Sequence, residues 1–383
     1  MHAYLDNAAT TPVAPEVVKA MTDVHSTVYG NPSSTHLPGR KAKALVETSR
    51  RTIAKLLGVA PRTICFTSGG TEADNHAIQA AVGCLGVKRI ITSEAEHSAV
   101  IKSTQMARDQ HHVELNYVRH HSDGRVDEDH LAQLLAQKKS KTLVSLMHAN
   151  NEVGVMTDLA RVGSLCKEYG ALVHSDTVQT MGHYPMDLES LDVDFLACSA
   201  HKLHGPKGTG FLYVHPSLNI DGMIVGGGQE RLMRGGTENV AGIVGLATAF
   251  EIAFENMEVH ESYIRSIKAR MVQGLKERIP GVAFNGDSDG DDRLYTVLNV
   301  QFPEHPNGGM AVFLLDLEGV ACSGGSACSS GATLGSHVLR ALQFHNPDKA
   351  SVRFSFSRYT TNADIDLALD ALVKVFAALP VEA

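Results

Sequence analysis

Two charged residues follow apolar segments of the sequence, and together they could hold a flat cofactor. Lys202 comes after the apolar run Phe195–Ser199, at the start of a turn-rich segment. Loss of solvation there would lower the pKa of the amine and make its neutral form available for a Schiff base with a carbonyl group. Asp176 ends another apolar run, and an acid at the carboxyl end of a parallel strand points into the ligand-binding crevice. There it could pair with a protonated pyridine nitrogen.

Each of these residues also has a plainer interpretation. Lys202 could be a surface lysine at a strand end, and by position alone Lys207 is an equally good candidate. Asp176 could be the N-cap of a helix, a role that is compatible with cofactor binding.

Further polar residues lie where predicted strands end. The segment Gly69–Thr71 stands between a strand and a helix, where backbone N–H groups, glycine and a hydroxyl suit a phosphate. No Gly-Lys-Ser/Thr follows, so it is not a Walker loop, and any strand-to-helix turn can carry glycines. His97 could stack on a cofactor or move a proton, or it could simply begin a helix. Asn150 and Asn151 could hold ligand oxygens or form a turn.

Two residues near the C-terminal end suit binding and attack on a small substrate. Cys328 lies in a stretch rich in glycine and serine, where a thiol is exposed and mobile. Cys322, at the start of that stretch, is expected to be structural. Arg353 lies opposite the apolar face of a predicted strand, where it could bind a carboxylate or form a surface ion pair. The other cysteines are expected to fill cores; they are Cys65, Cys84, Cys166 and Cys198.

The elements that must position these residues alternate between short apolar runs and helical patterns. This alternation predicts an α/β fold with a mostly parallel sheet covered by helices on both faces. A single long helix is predicted from Asn239 to about Arg278, followed by a smaller α+β unit against which the first residues pack. The seven predicted strands are Thr63–Thr67, Arg89–Thr92, Val113–Val118, Thr142–Met147, Ala171–Ser175, Phe195–Ser199 and Gly210–Val214.

Composition excludes several classes of protein. The 383 residues carry a net charge of −8, which argues against general nucleic-acid binding. No apolar run approaches the length of a membrane span, and the first residues lack the pattern of a secretory signal. The six cysteines are scattered and form no Cys-x-x-Cys pair, so we expect neither a disulfide framework nor a metal site. A reducing cytoplasm fits best.

In this order, the segments resemble the cysteine desulfurases of the NifS/IscS type, in the class-V aminotransferase family. The resemblance covers nearly the whole chain and rests on four stretches: 5–12, 30–34, 67–75 and 352–361. It implies the pyridoxal phosphate (PLP)-dependent transferase fold type I. A large PLP-binding domain would span residues 16–254, and a small domain would comprise residues 1–15 and 255–383. The small domain would carry the catalytic cysteine loop at about 320–336.

The resemblance also implies roles for individual residues. Lys202 matches the lysine that binds PLP covalently, and Cys328 matches the cysteine that forms a persulfide. Arg353 and Asn151 would bind the substrate, and His97 would stack on the cofactor and take part in catalysis. Thr237 would reach the phosphate of a neighbouring subunit, which implies a homodimer. The remaining cofactor contacts would be Asp176, Gln179, Gly70, Thr71, Asn151, Ser199 and His201.

The implied activity converts L-cysteine to L-alanine and passes sulfur from Cys328 to an acceptor protein. That acceptor would serve iron–sulfur assembly, as a scaffold, or tRNA thiolation. Cys322 departs from the family pattern, which has serine or another small residue there. Selenocysteine lyase, or another PLP-dependent lyase or aminotransferase, is the alternative on the same fold. A non-catalytic nucleotide-binding scaffold is the alternative from another class of protein.

Overall fold

The computed structural model describes residues 2–137, 140–188, 190–324 and 336–376. Cys328 and most of the predicted catalytic loop therefore lie outside the described residues. Within them, the helices are α1 (Pro15–Thr27), α2 (Leu37–Leu56), α3 (Gly70–Gly83), α4 (Ser98–His111), α5 (Glu128–Ala136), α6 (Leu159–Tyr169), α7 (Val240–Glu255), α8 (Met257–Arg278), α9 (Ala311–Leu317), α10 (His337–Ala341) and α11 (Asn362–Val375). The strands are β1 (Ala3–Tyr4), β2 (Ile64–Thr67), β3 (Arg89–Thr92), β4 (Glu114–Tyr117), β5 (Thr142–Ser145), β6 (Leu172–Asp176), β7 (Phe195–Ser199), β8 (Gly210–Val214), β9 (Ala283–Phe284), β10 (Val297–Gln301), β11 (Val320–Ala321) and β12 (Ser351–Ser355).

Seven of the strands form one sheet, in the order β2-β8-β7-β6-β5-β3-β4. β8 runs antiparallel to β2 and β7, and all other neighbours are parallel. The predicted mostly parallel, seven-stranded sheet is therefore confirmed, and the bounds of β3, β7 and β8 are those predicted from the sequence.

The apolar strands are explained by burial of both faces of this sheet. Along β7, Phe195 and Ala197 belong to one core, whereas Leu196 and Cys198 belong to the core on the other side. Because successive side chains of a strand point to opposite faces, a strand covered on both sides must be apolar throughout. Helices α2, α5, α6 and α7 pack on one face, and α3 and α4 pack on the other.

A separate core lies beneath a three-stranded antiparallel sheet of order β12-β10-β9. Helices α8, α9 and α11 contribute apolar side chains to this core. The first residues join it as expected, since β1 pairs in parallel with β11. The chain then passes from this core to the large sheet, where the Thr11 N–H donates to the carbonyl oxygen of His201. The domain boundaries themselves stay a prediction.

The prediction of one long helix from Asn239 to Arg278 is wrong. The chain breaks at Asn256, whose φ of −120° and ψ of 16° are not helical, and α7 and α8 meet at 76°. The physical reason is that the two helices pack against different cores. Helix α7 packs against the large sheet, and α8 packs against the small one. No single described helix is long and apolar enough to cross a membrane, although this bent pair would satisfy both criteria together.

The cysteine predictions are confirmed at three positions and wrong at one. Cys65, Cys166 and Cys198 are buried, but Cys84 is exposed. Cys84 follows α3 as its C-cap, so its side chain lies beyond the packed part of the helix.

Candidate active site

A cavity of about 260 Å³ lies at the carboxyl ends of the central strands. Its walls combine polar groups that the sequence separates by hundreds of residues. All predicted site residues within the described part of the chain line it, except Thr237; they are Gly70, Thr71, His97, Asn151, Asp176, Gln179, Ser199, His201, Lys202 and Arg353.

Lys202 enters the cavity from a single 3-10 turn, Ala200–Lys202, directly after β7. Its amine donates to the carbonyl oxygens of Ala8 and Ala9, the latter at 2.9 Å. Lys207 is exposed and does not line the cavity. Position in the fold therefore favours Lys202 over Lys207, a choice that sequence position left open.

Asp176 ends β6, and Gln179 follows in the next turn. One carboxylate oxygen of Asp176 accepts from the Val178 N–H at 2.9 Å, in a turn that does not continue into a helix. The helix N-cap that the plainer interpretation expected is therefore wrong, and the side chain lines the cavity. The Gln179 amide donates to the carbonyl oxygen of Ala8 at 3.1 Å, next to the bond made by Lys202.

The turn between β2 and α3 has the form of a phosphate cradle. Helix α3 begins at Gly70, and Gly69 adopts a φ of +149°, which favours glycine. A Cβ at Gly70 would lie 2.5 Å from Cγ2 of Val178, so any larger residue would push Val178, itself a lining residue. Gly70 and Thr71, the first residues of α3, line the cavity, and the first N–H groups of a helix have no helical acceptors.

His97 is the N-cap of α4, and its Nδ1 accepts from the Ala99 N–H at 3.2 Å. In the neutral ring this bond places the proton on Nε2. Burial is the main cause that lowers the pKa of His97, which favours that neutral ring. A neutral imidazole can stack on a flat cofactor or accept a proton, as the sequence predicted.

Buried acids surround this part of the cavity. Burial raises the pKa of Asp74 well above its usual range, and the charges of Asp176 and Glu96 act in the same direction. Burial likewise raises the pKa of Glu96. His174 Nε2 lies 3.3 Å from Asp74 Oδ1, and within the described part of the chain neither atom has a hydrogen-bond partner. The surroundings favour the protonated forms of Asp74 and Glu96.

Asp74, His97 and Asp176 each bring one ligating atom within 4.8 Å of the others. This is the one group of metal-type ligands among the residues that the structure describes. The expectation of a site without metal stays a prediction.

Arg353 forms a buried ion pair, so the surface pair that the sequence left open is wrong. Its guanidinium donates to the carbonyl oxygen of Asn151 at 2.9 Å and to Asp6 Oδ1 at 2.8 Å. Its Nε and the Asn151 Oδ1 are buried and have no hydrogen-bond partner in the described part of the chain. An unused donor and an unused acceptor in one cavity indicate a ligand that supplies their complements.

Described residues on either side of the segment 325–335 form hydrogen bonds with residues in or beside the cavity wall. Ser323 donates to Asp6 Oδ1 at 2.7 Å, and Ser336 donates to Glu152 Oε2 at 2.5 Å. Burial raises the pKa of the nearby Cys322 thiol to about 12, which keeps it protonated and a poor nucleophile. This agrees with the structural role expected for Cys322.

Sequence reasoning missed several residues that line the cavity or contact its lining. Asp6 lies in the stretch 5–12 that carried the resemblance, so a signal existed, but its side chain was given no role. Asp74 and Glu152 are acids in helical or turn segments, with no local sign of burial. His337 lines the cavity and its Nε2 lies 3.0 Å from the carbonyl oxygen of Glu96, a contact across the fold that sequence spacing does not reveal.

Comparison with known proteins agrees with this fold and site. The class-V aminotransferase family matches residues 3–368. The cysteine desulfurase IscS of Dictyoglomus turgidum is 40% identical over 379 residues, which cover 98% of this chain and 95% of that protein. A NifS-like protein from Rickettsia africae has a TM-score of 0.89 at 32% identity, over 99% of this chain and 100% of its own. A structure of SspA in complex with cysteine has a TM-score of 0.81 at 29% identity, over 94% of this chain and 100% of its own.

The fold and the cavity together define a PLP-dependent enzyme of fold type I. The chain belongs to the class-V aminotransferase family, and the curated relatives that it resembles over nearly its full length include cysteine desulfurases.

The residues present fit PLP. Gly70 lies at a helix start suited to phosphate, at a position where a Cβ would clash with Val178 of the cavity wall. Lys202 supplies an amine, Asp176 supplies a carboxylate for a ring nitrogen, and the unpartnered Asn151 Oδ1 awaits a donor. Thr237 is exposed and lies away from the cavity, so its predicted role depends on a second subunit.

The cradle generates a first prediction. Gly70→Ala should weaken PLP binding about tenfold or more, because the new methyl displaces Val178 into the cavity. Equilibrium titration of the apoprotein with PLP, followed by visible absorbance, measures this change.

Gly83→Ala is the matched control, since it lies in the same helix and a Cβ there meets nothing within 4 Å. Equal PLP affinity for the two variants would contradict the assignment of the cradle.

Proposed function

We propose that this protein is a cysteine desulfurase, which converts L-cysteine to L-alanine and holds the sulfur as a persulfide on Cys328. The observation that carries the proposal is that, among the described residues, the Nε–H of buried Arg353 has no acceptor and lies in the same cavity as Lys202. A free donor on a guanidinium beside an amine suits an α-amino acid, whose carboxylate and amino group are separated by one carbon.

Each residue of the cavity has a separate role in the proposed reaction. Arg353 binds the substrate carboxylate and thereby orients the α-carbon. Lys202 provides an amine that can take a proton from that carbon and return one to the product. PLP, when bound, withdraws electrons from the substrate α-carbon, and Asp176 would support this by pairing with the ring nitrogen. His97 would stack against the ring, and burial, which lowers its pKa, favours the neutral form that accepts a proton.

Sulfur transfer requires a second thiol. The Cys328 thiolate attacks the substrate sulfur, so that a sulfur–sulfur bond forms while the carbon–sulfur bond breaks and its electron pair stays on carbon. That carbon then takes a proton, which yields alanine. An acceptor protein, such as an iron–sulfur scaffold or a carrier for tRNA thiolation, would remove the outer sulfur. The reaction suits a reducing cytoplasm, since a thiol must be free to attack.

The direct test of this function is incubation of the protein with L-cysteine and PLP, with alanine and sulfide assayed together. The proposal expects alanine and released sulfide in equal amounts when a reductant is present. Pyruvate and ammonia in place of alanine would show a different PLP-dependent lyase.

The role of Cys328 generates a second prediction. Cys328→Ser should keep the bound cofactor and its spectral response to cysteine, but should lose alanine production and protein-bound persulfide by a factor of at least about 10². Cys322→Ser is the matched control and should remain near the parent rate, since burial keeps the Cys322 thiol protonated. Persulfide is measured by mass spectrometry of the intact protein.

Two results would contradict the assignment of Cys328. Parent activity in the Cys328 variant together with failure of the Cys322 variant would reverse the two roles. Full activity of both variants with cysteine and selenocysteine would favour selenocysteine lyase.

We also propose that the protein forms a homodimer through the surface that carries Thr237. Val225 and Tyr29 are 92% and 88% exposed, and Leu232 is also exposed. Gln229 contacts Ser33 at 3.4 Å, so the two segments that bear these apolar side chains lie together. Large exposed apolar groups on one face are typical of protein interfaces.

A buried ion pair holds this surface in place. Arg50 donates through both Nη atoms to Glu230, at 2.7 and 2.8 Å, and each side chain is only 2% exposed. Glu230 adopts a φ of +44°, an unfavourable conformation for a residue with a Cβ. A rigid exposed apolar surface supports association better than a flexible one, since less entropy is lost on binding.

The dimer generates a third prediction. Val225→Glu should shift the protein toward monomer in sedimentation velocity and should weaken PLP retention, because a charge would be buried in the interface and Thr237 would lose its partner site. Val259→Glu, at an exposed apolar position on α8, should leave both properties unchanged. A parent protein that sediments as a monomer and is fully active would refute the shared site.

A further inference from the structure

Asp6 joins three separate segments of the chain around the substrate arginine. Its Oδ1 accepts from Arg353 Nη2 at 2.8 Å and from Ser323 Oγ at 2.7 Å. Ser323 and Arg353 are joined in turn by two backbone hydrogen bonds, at 3.2 and 2.6 Å. The three residues therefore form a closed set, in which the position of each side chain depends on the other two.

This set determines which donors of Arg353 remain for a ligand. The side chain is 2% exposed, and Asp6 is the one acid that forms an ion pair with it in the described part of the chain. Asp6 and the carbonyl oxygen of Asn151 take hydrogen bonds from Nη2 and Nη1. The Nε–H is buried in a side chain that lines the cavity, and no residue that the structure describes accepts a hydrogen bond from it.

The same short segment also contacts the other end of the substrate site. The carbonyl oxygens of Ala8 and Ala9 accept from the Lys202 amine, two and three residues after Asp6. The Ala8 N–H donates to Ser355 Oγ at 2.8 Å, on the strand that carries Arg353. The segment 6–9 therefore contacts both the strand that carries Arg353 and the lysine side chain.

We propose that Asp6 is a positioning residue, which orients Arg353 so that the site selects amines that carry an α-carboxylate. The inference rests on the proposed function and deepens it, because it names the residue that sets the substrate class. Asp6 itself need not touch the substrate. Its charge-assisted bond holds the guanidinium in one orientation, so that binding a carboxylate does not require the side chain to be ordered first.

The test compares two ligands that differ only in the carboxylate. L-Alanine and ethylamine are titrated into the PLP-loaded protein, and the change in cofactor absorbance gives the half-saturating concentration of each. Asp6→Asn should raise the value for L-alanine about tenfold, and Asp6→Ala should raise it further, because the neutral amide keeps one weaker acceptor. The value for ethylamine should change less than about twofold in both variants.

Asp316→Asn, which removes an exposed charge on α9, is the matched control and should change neither value. An equal rise in the half-saturating concentrations of both ligands in Asp6→Asn would overturn the proposal, since it would show general damage to the site or an effect through Lys202. No change for either ligand would overturn it as well.

A double-mutant cycle tests whether Asp6 acts through Arg353. In the Arg353→Ala background, Asp6→Asn should alter L-alanine binding by less than about twofold, because the group that it positions is gone. Additive effects of the two substitutions would overturn the proposal. Neither titration measures desulfuration, so a parent protein that makes no alanine from cysteine would refute the proposed function and leave this comparison valid.

Discussion

Hydrogen bonds from Thr11 to the carbonyl oxygen of His201 are the constraint on which the site depends, because they hold the start of the chain against the turn that carries Lys202. The start of the chain belongs to the small core through β1, whereas that turn follows β7 of the large sheet. The Asp6 side chain, close by in the same part of the chain, holds Arg353. The start of the chain therefore contacts both the lysine turn and the arginine, the two groups on which the proposed reaction depends.

Electrostatics inside the cavity follow from the same close packing. Asp74, Glu96 and Asp176 lie near one another with little solvent, and burial raises the pKa of Asp74 and Glu96. A protein interior cannot hold several adjacent carboxylates in the charged form without large cost, so neutral acids are favoured where no cation pairs with them. Asp176 lines the cavity at the end of β6, the position from which its proposed contact with a ring nitrogen would be made.

Local features were predictable from the sequence, and contacts between distant segments were not. The strands Arg89–Thr92, Phe195–Ser199 and Gly210–Val214 were predicted to the residue, since burial on both faces leaves an uninterrupted apolar run. The glycine turn before α3 was also predictable, because the residues that suit a phosphate are adjacent in the sequence. The break at Asn256 was missed, since helical periodicity continues across it and only the change of core demands a bend.

In the site too, local features were predictable and contacts between distant segments were not. Sequence position alone could not choose between Lys202 and Lys207; the fold does, by placing only Lys202 in the cavity. The burial of Arg353 could not be predicted, because its partner Asp6 is 347 residues away along the chain. The resemblance to known proteins supplied residue roles that spacing could not, and the cavity brings together the described residues to which those roles were assigned, except Thr237.

The most direct test of the account is to locate the cofactor on the chain. The PLP-loaded protein is treated with borohydride, digested and examined by mass spectrometry. The account predicts a stable pyridoxyl group on Lys202, and an unmodified Lys207. A group on Lys207, or one that persists in Lys202→Ala at parent yield, would contradict the central claim that the cavity at the end of β7 is the catalytic site.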